Sequence, residues 1–392
     1  MTHLHRCGLA ALLALLTLPS SAATPTATTA PAASTAATPA LPGPVAARQF
    51  ILVDQATGQT LAAQGEDQRA EPASITKLMT AYVVFKALAE KRLRLDEPVT
   101  ISERAWQAEG SRTFVEVGKQ IPVEVLIKGM IVQSGNDAAI ALAERVGGSE
   151  PAFAALMNTE AQRLGMRGTR FANATGLPDP GLYSTARDIA TLSRAIIRNY
   201  PQFYSWYSLR EYEYDGIRQP NRNGLLARDA GVDGLKTGHT ASAGYCLASS
   251  AMRAGTRFVS VVLGAESPRK REEASMLLFE HGFRNFETVR LRKAGDTVLR
   301  PRVFKGGMEQ VELVPATDVA MTVQRGRASA LRTATSVNAP LVAPLKAGQR
   351  VGEMQVLDGD RIVQRVPLVT KTAAPEGDLW ARLRDTVLLW FQ

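Results

Sequence analysis

Histidine and cysteine are scarce in this 392-residue chain, which holds four of the first and two of the second. His3, His5 and Cys7 all fall within the first 23 residues, leaving His239, His281 and Cys246 for the rest. A zinc site built from histidine and cysteine therefore lacks ligands, and no His-Glu-x-x-His run occurs; no metal and no cofactor is expected. A Ser-His-Asp triad would have to use one of the two remaining histidines, and no Gly-x-Ser-x-Gly elbow is present. No phosphate-binding loop of the Gly-x-x-x-x-Gly-Lys-Ser/Thr type appears. Once Cys7 is gone, Cys246 has no partner for a disulfide and reads as a small buried residue. No basic run interleaved with aromatics points to nucleic acid. A serine hydrolase in this chain needs a base other than histidine.

The chain's start reads as an export signal. His3, His5 and Arg6 precede the apolar run "LAALLALLTL", and "PSSAA" follows with small residues, which resembles a secretory leader over residues 1–23. The run is too short for a permanent membrane span. Residues 24–47 are nearly all Ala, Thr and Pro, a composition that cannot bury enough apolar surface to order itself and reads as a tether. The net charge of +9 suits an exported protein that meets anionic cell-wall polymers or lipid headgroups, and makes nucleic acid a poor partner outside the cytoplasm.

With 45% hydrophobic and 21% charged residues, the remainder can bury full cores, and its length favours two folded units. Two apolar stretches around Ala56-Thr57-Gly58 predict a hairpin. A helix opening at Ser74 carries apolar residues on all sides (Leu78, Met79, Tyr82, Val83, Val84, Phe85), the mark of a buried central helix. Helical patterns continue through "VEVLIKGMIVQSGNDAAIALAERVGG", "EPAFAALMNTEAQRLGM" and "STARDIATLSRAIIRNY". Two strand-like runs joined by Arg253-Ala254-Gly255 follow, and one more helix closes the unit near residue 285. The order predicts one antiparallel sheet built from both ends of an α+β unit, with helices packed on it. Residues 286–370 shift to short Val-, Thr- and Leu-rich runs, the pattern of a small all-β domain.

Chemistry concentrates in three short stretches. Ser74-Ile75-Thr76-Lys77 places a hydroxyl and an amine at i and i+3, on one helix face. A lysine can serve as base only if its pKa of ~10.4 falls, through burial at a helix N-terminus or a second nearby cation. Lys236-Thr237-Gly238, just before the first late strand, supplies such a cation, and Ser134-Gly135-Asn136 lies between the two. A shadow set exists: Ser267 to Lys270, Ser336-Val337-Asn338 and Lys371-Thr372-Ala373. It lacks the final glycine, and too few residues separate its members to build a helical lobe. Ser267 before Pro268 reads as a helix cap.

The ordered set Ser-x-x-Lys, Ser-x-Asn, Lys-Thr-Gly, together with "NRNGLL" at 221–226, "VDGLKTGHT" at 232–240 and "STARDIA" at 184–190, resembles the D-alanyl-D-alanine carboxypeptidases among the low-molecular-mass penicillin-binding proteins. The resemblance runs from about residue 48 to the C-terminus. It implies a β-lactamase/transpeptidase-like catalytic domain over 48–285, followed by a β-rich domain over 286–370. It also implies Ser74 as nucleophile, Lys77 as base, Ser134 as proton relay and Asn136 as holder of a substrate amide. Lys236 would tune the proton network and Thr237 would bind the terminal carboxylate, with Gly238 letting the substrate lie along the strand. The backbone N–H groups of Ser74 and His239 would form the oxyanion hole. Arg222 and Arg271 match positions facing the active site, where a guanidinium would suit a free carboxylate. The implied partners are peptidoglycan stem pentapeptides and β-lactam antibiotics. An endopeptidase cleaving cross-links shares these motifs. A class A β-lactamase would add a Glu-x-x-Leu-Asn run, absent between 140 and 200, and an idle wall-binding protein would not need Ser74, Lys77 and Lys236 intact.

The final stretch, 371–392, predicts an amphipathic helix. Leu379, Trp380, Leu383, Val387, Trp390 and Phe391 fall within an arc of roughly 120°, with Asp378, Arg382 and Asp385 opposite. Such a helix would lie in the surface of the inner membrane and hold a periplasmic enzyme there.

Overall fold

A computed structural model describes residues 39–391. The leader expected over 1–23 and most of the Ala/Thr/Pro segment lie outside the described residues. The central element is a five-stranded antiparallel sheet in the order Thr60–Gln64, Gln49–Asp54, Thr256–Ala265, Gly244–Arg253, Val232–Thr240. Both expected hairpins are present. Gly58 takes φ +78°, and the two-residue loop Ala254-Gly255 has φ of +47° and +79°, the mirror-image turn whose twist matches paired strands.

Side chains alternate between two cores. Ile51, Val53, Val259 and Val261 face a helical lobe. Phe50, Leu52, Phe258 and Val262 face Leu278, Phe279 and Phe283 of the helix Pro268–Asn285. The central helix Lys77–Ala89 buries ten of its thirteen residues, so it has no solvent face to spare. Around it lie Val123–Val132, Asn136–Gly147, Glu150–Arg163 and Ala186–Asn199.

Three local features differ from the sequence reading. Ser74 sits in a 3-10 turn, Ala73–Thr76, that feeds the helix rather than in the helix itself. The helical pattern across Ser134 is broken, because Ser134 adopts φ +64° between two helices. Lys236-Thr237-Gly238 lies within an edge strand of the main sheet, not before it.

The C-terminal half contains a four-stranded sheet, ordered Leu313–Pro315, Arg361–Thr370, Arg350–Asp358, Leu331–Val337, over a core of Val319, Met354, Val356, Val366 and Leu368. The paired strands Phe286–Arg292 and Val319–Gln324 join this region to the first hairpin, where Thr288 Oγ1 donates to Asp54 Oδ2 (2.5 Å) and the Thr57 and Thr322 hydroxyls meet at 2.6 Å. The last helix, Leu379–Leu389, is capped by Asp378 and docks by its polar side. Asp385 is 1% exposed, accepting from the Lys305 backbone N–H (2.6 Å) and from Arg302 (3.0 Å).

Candidate active site

The turn–helix junction sets the first pair. Lys77 Nζ lies 3.0 Å from Ser74 Oγ and donates to the Thr175 carbonyl at 2.6 Å. Only 2% of Lys77 is exposed, and burial, aided by Arg222 and opposed by Asp137, pushes its pKa down to about 7. The Thr175 carbonyl is held by its own loop. Asn173 Oδ1 accepts from the Thr175 and Gly176 N–H groups, and Thr80 Oγ1 donates to Ala174 O. Gly176 has φ +83°, and a Cβ there would sit 1.9 Å from Ala73 O, so no other residue lets this loop touch the Ser74 turn.

The break between two helices supplies the second group. The positive φ of Ser134 turns the chain so that Asn136 opens the next helix. Ser134 Oγ and Asn136 Oδ1 are buried without a protein partner, whereas Asn136 Nδ2 donates to Glu109 O at 2.5 Å. Asp137 fixes the facing loop: its carboxylate accepts from the backbone N–H groups of Thr113 (2.8 Å), Phe114 (2.8 Å) and Val115 (3.3 Å). An orphaned hydroxyl and an orphaned amide oxygen, the first of them in the cleft that Ser74 lines, are groups able to bind a ligand.

The edge strand closes the far side. Lys236 Nζ donates to Thr237 O at 3.0 Å, and burial, with Lys77, Arg222 and Arg271 nearby, holds its pKa well below the usual lysine range. A Cβ on Gly238 would come within 2.9 Å of Pro72 O and 3.2 Å of Ile75 N. The strand can lie this close to the Ser74 turn only because residue 238 is glycine. His239 stacks on Tyr245 with centroids 4.0 Å apart. Arg222 donates to Gln133 O (3.0 Å), Arg271 donates to Arg222 O (3.3 Å), and Arg271 Nε is buried without a partner.

Seven of the ten residues singled out in the sequence meet at one cleft of about 400 Å³. Ser74, Ser134, Arg222, Thr237, Gly238, His239 and Arg271 line it. Lys77, Asn136 and Lys236 are buried and do not line it, though Lys77 reaches Ser74 Oγ in the lining. Sequence reasoning missed Ser111, Tyr245 and Pro268 in the lining, the Thr175 carbonyl and the Asp137 clamp. Only Asp137 carried a signal, as an acid directly after Ser-Gly-Asn at a helix start.

Residues 33–267 match the family described as D-alanyl-D-alanine carboxypeptidase. The chain belongs to that family. Residues 286–376 match the C-terminal domain of penicillin-binding protein 5. D-alanyl-D-alanine carboxypeptidase DacC of Escherichia coli is 42% identical over 356 residues, 88% of this chain and 89% of that protein. The crystal structure of penicillin-binding protein 5 from Haemophilus influenzae is 38% identical with a TM-score of 0.78, and the likeness covers 86% of this chain and all of that one. Penicillin-binding protein D2 of Listeria monocytogenes, solved in an ampicillin-bound form, is 33% identical with a TM-score of 0.57, covering 61% of this chain and 98% of that one. The match thus spans both the serine peptidase unit of this family and the β domain that follows it, as the resemblance implies.

Proposed function

We propose that Ser74 is the nucleophile with which this D-alanyl-D-alanine carboxypeptidase removes the terminal D-alanine from peptidoglycan stem pentapeptides. The observation that carries the assignment is the buried Lys77 amine 3.0 Å from Ser74 Oγ, with its pKa lowered to about 7. A neutral Lys77 takes the Ser74 proton as Oγ bonds to the carbonyl carbon of the penultimate D-alanine. The backbone N–H groups of Ser74 and His239 hold the resulting oxyanion. The proton passes through the unpartnered Ser134 hydroxyl to the departing amine, the C–N bond breaks, and D-alanine leaves an ester on Ser74. Water then hydrolyses that ester. Asn136 Oδ1 accepts a substrate N–H, Lys236 tunes the proton network, and Thr237, Arg222 and Arg271 receive the terminal carboxylate.

β-Lactams are covalent inhibitors on this reading, in line with the ampicillin-bound Listeria relative. Digestion of purified muropeptides tests the reaction. Loss of one alanine from pentapeptides is expected; cleavage of cross-links without it would make the enzyme an endopeptidase.

The tail completes the reading: residues 1–23 and 24–47 serve as leader and tether, 48–285 and 286–370 form the catalytic and β domains, and 371–392 anchor the enzyme peripherally on the outer face of the inner membrane. Its docked helix leaves Trp380 and Trp390 each 80% exposed, beside Leu379, Leu383 and Phe391, while Asp385 faces the β domain. An outward apolar face of this kind suits a lipid surface. No helix among the described residues is long and apolar enough to cross a membrane. Deleting residues 376–392 should release active enzyme from membranes; a truncated protein that still sediments with them would overturn the anchor.

A further inference from the structure

The four-stranded sheet of the C-terminal half has two edges, and they differ. One, Leu313–Pro315, is three residues long and ends on proline, a common way of blunting an edge. The other, Leu331–Val337, runs seven residues with no proline, no lysine and an unbroken register against Arg350–Asp358. Arg332 is its one charged residue, and Arg332, Ala334, Thr335 and Ser336 are exposed.

Two bonds at the ends of this strand decide which of its backbone groups face outward. Asn338 N–H donates to Val351 O (2.8 Å), and Gly359 N–H donates to Ala330 O (3.4 Å). Opposed residues of an antiparallel pair alternate between bonded and non-bonded. Even-numbered residues therefore bond inward, and the N–H and C=O groups of Leu331, Thr333, Thr335 and Val337 point away from the sheet. Two of these groups are used locally: Leu331 N–H donates to Ala328 O, and Val337 O accepts from Ala339 N–H (2.9 Å). The N–H groups of Thr333, Thr335 and Val337 and the C=O groups of Leu331, Thr333 and Thr335 have no partner among the described residues.

The open groups form a self-complementary set. Reversal about Ala334 sets Thr333 N–H against Thr335 O, Thr335 N–H against Thr333 O, and Val337 N–H against Leu331 O. The two groups already used, Leu331 N–H and Val337 O, are the pair that would otherwise have met each other. Side chains agree with the same centre, since Leu331-Arg332-Thr333-Ala334-Thr335-Ser336-Val337 is close to a palindrome in kind. Leu faces Val, Thr faces Thr and Ala faces Ala, while Arg332 faces Ser336 and no like charges meet. We propose that this edge pairs with the same edge of a second copy of the chain, antiparallel about a two-fold axis at Ala334, joining two sheets into one. An unrelated extended segment needs no such symmetry in the edge that receives it.

A single strand pair makes a contact far smaller than a standard interface, so disulfide trapping is the suitable readout. At the centre, Ala334 opposes its own copy in a non-hydrogen-bonded pair with Cα atoms about 4.5 Å apart, a separation that a disulfide bridges. Purified protein carrying Ala334→Cys should form disulfide-linked dimer in a glutathione buffer, about tenfold more than Arg332→Cys, whose opposite residue is Ser336. Cys246 is buried and should give no dimer in the unaltered protein. Thr335→Pro removes one outward N–H and leaves the inward ladder intact. Added to Ala334→Cys, it should cut the dimer yield about tenfold while the circular dichroism spectrum stays unchanged. Equal yields from Arg332→Cys and Ala334→Cys, or a yield that Thr335→Pro does not lower, would overturn the pairing. No dimer from Ala334→Cys would overturn it as well.

Discussion

Two stretches of this chain carry a serine three residues before a lysine, and they behave as opposites. At Ser74–Lys77 the amine is 2% exposed, reaches the hydroxyl at 3.0 Å and has its pKa pushed down to about 7. At Ser267–Lys270 the lysine side chain is 49% exposed and pairs with Glu273 at 3.4 Å, while Ser267 Oγ accepts from the Lys270 backbone N–H at 3.2 Å to cap a helix. Spacing brings the two groups to one side of a turn in both cases. Burial is what lowers the pKa of the Lys77 amine, as the proposed base requires, and the Thr175 carbonyl holds that amine near the hydroxyl.

The comparison breaks most sharply under substitution. Ser74→Ala should abolish covalent penicillin labelling, whereas Ser267→Ala should leave the labelling rate unchanged. Lys77→Ala should cut acylation by a large part of the ~10²–10⁴ typical of general-base catalysis. Lys270→Ala should change it less than twofold; stopped-flow or gel labelling separates the two. Next in size is the pH response. A protonated Lys77 cannot take the serine proton, so acylation should fall about tenfold per pH unit below about 7.

The same lowered pKa carries a stability signature. The unfolded chain holds the Lys77 proton up to about the ordinary 10.5, the folded one only up to about 7, so wild-type stability rises between those values. Lys77→Met should therefore be more stable than wild type by roughly 2 kcal/mol at pH 7, and the gap should shrink toward pH 10 in denaturant titrations. Smallest is the cap: Ser267→Ala should cost about 1 kcal/mol of stability with activity untouched.

What could be read from the chain follows the same physics. The crowding of Leu78, Met79, Val83, Val84 and Phe85 exposed the central helix, and Ala254-Gly255 exposed a hairpin, because local pattern alone decides such features. The roles of Ser267 and Pro268 were equally local. The positive φ of Ser134 was hidden, since nothing in "IVQSGNDAA" but Gly135 interrupts helical periodicity and the turn is held from afar, by Asp137 on the Thr113–Val115 backbone. The Thr175 carbonyl was hidden for a deeper reason: a backbone oxygen has no residue type to betray it. Gly238 showed as part of a motif, yet its need lies in the Pro72 carbonyl 2.9 Å from where a Cβ would stand. The tail showed its apolar arc, but the docking of Asp385 on Lys305 and Arg302 depends on a partner surface 80 residues upstream.

The most direct measurement is peptide mapping by mass spectrometry after exposure of the purified protein to benzylpenicillin. One adduct on the peptide containing Ser74, and none in Lys77→Ala over the same interval, is the expected result. An adduct on Ser267, or unchanged labelling of Lys77→Ala, would contradict the claim that burial of one lysine distinguishes the catalytic pair from its shadow.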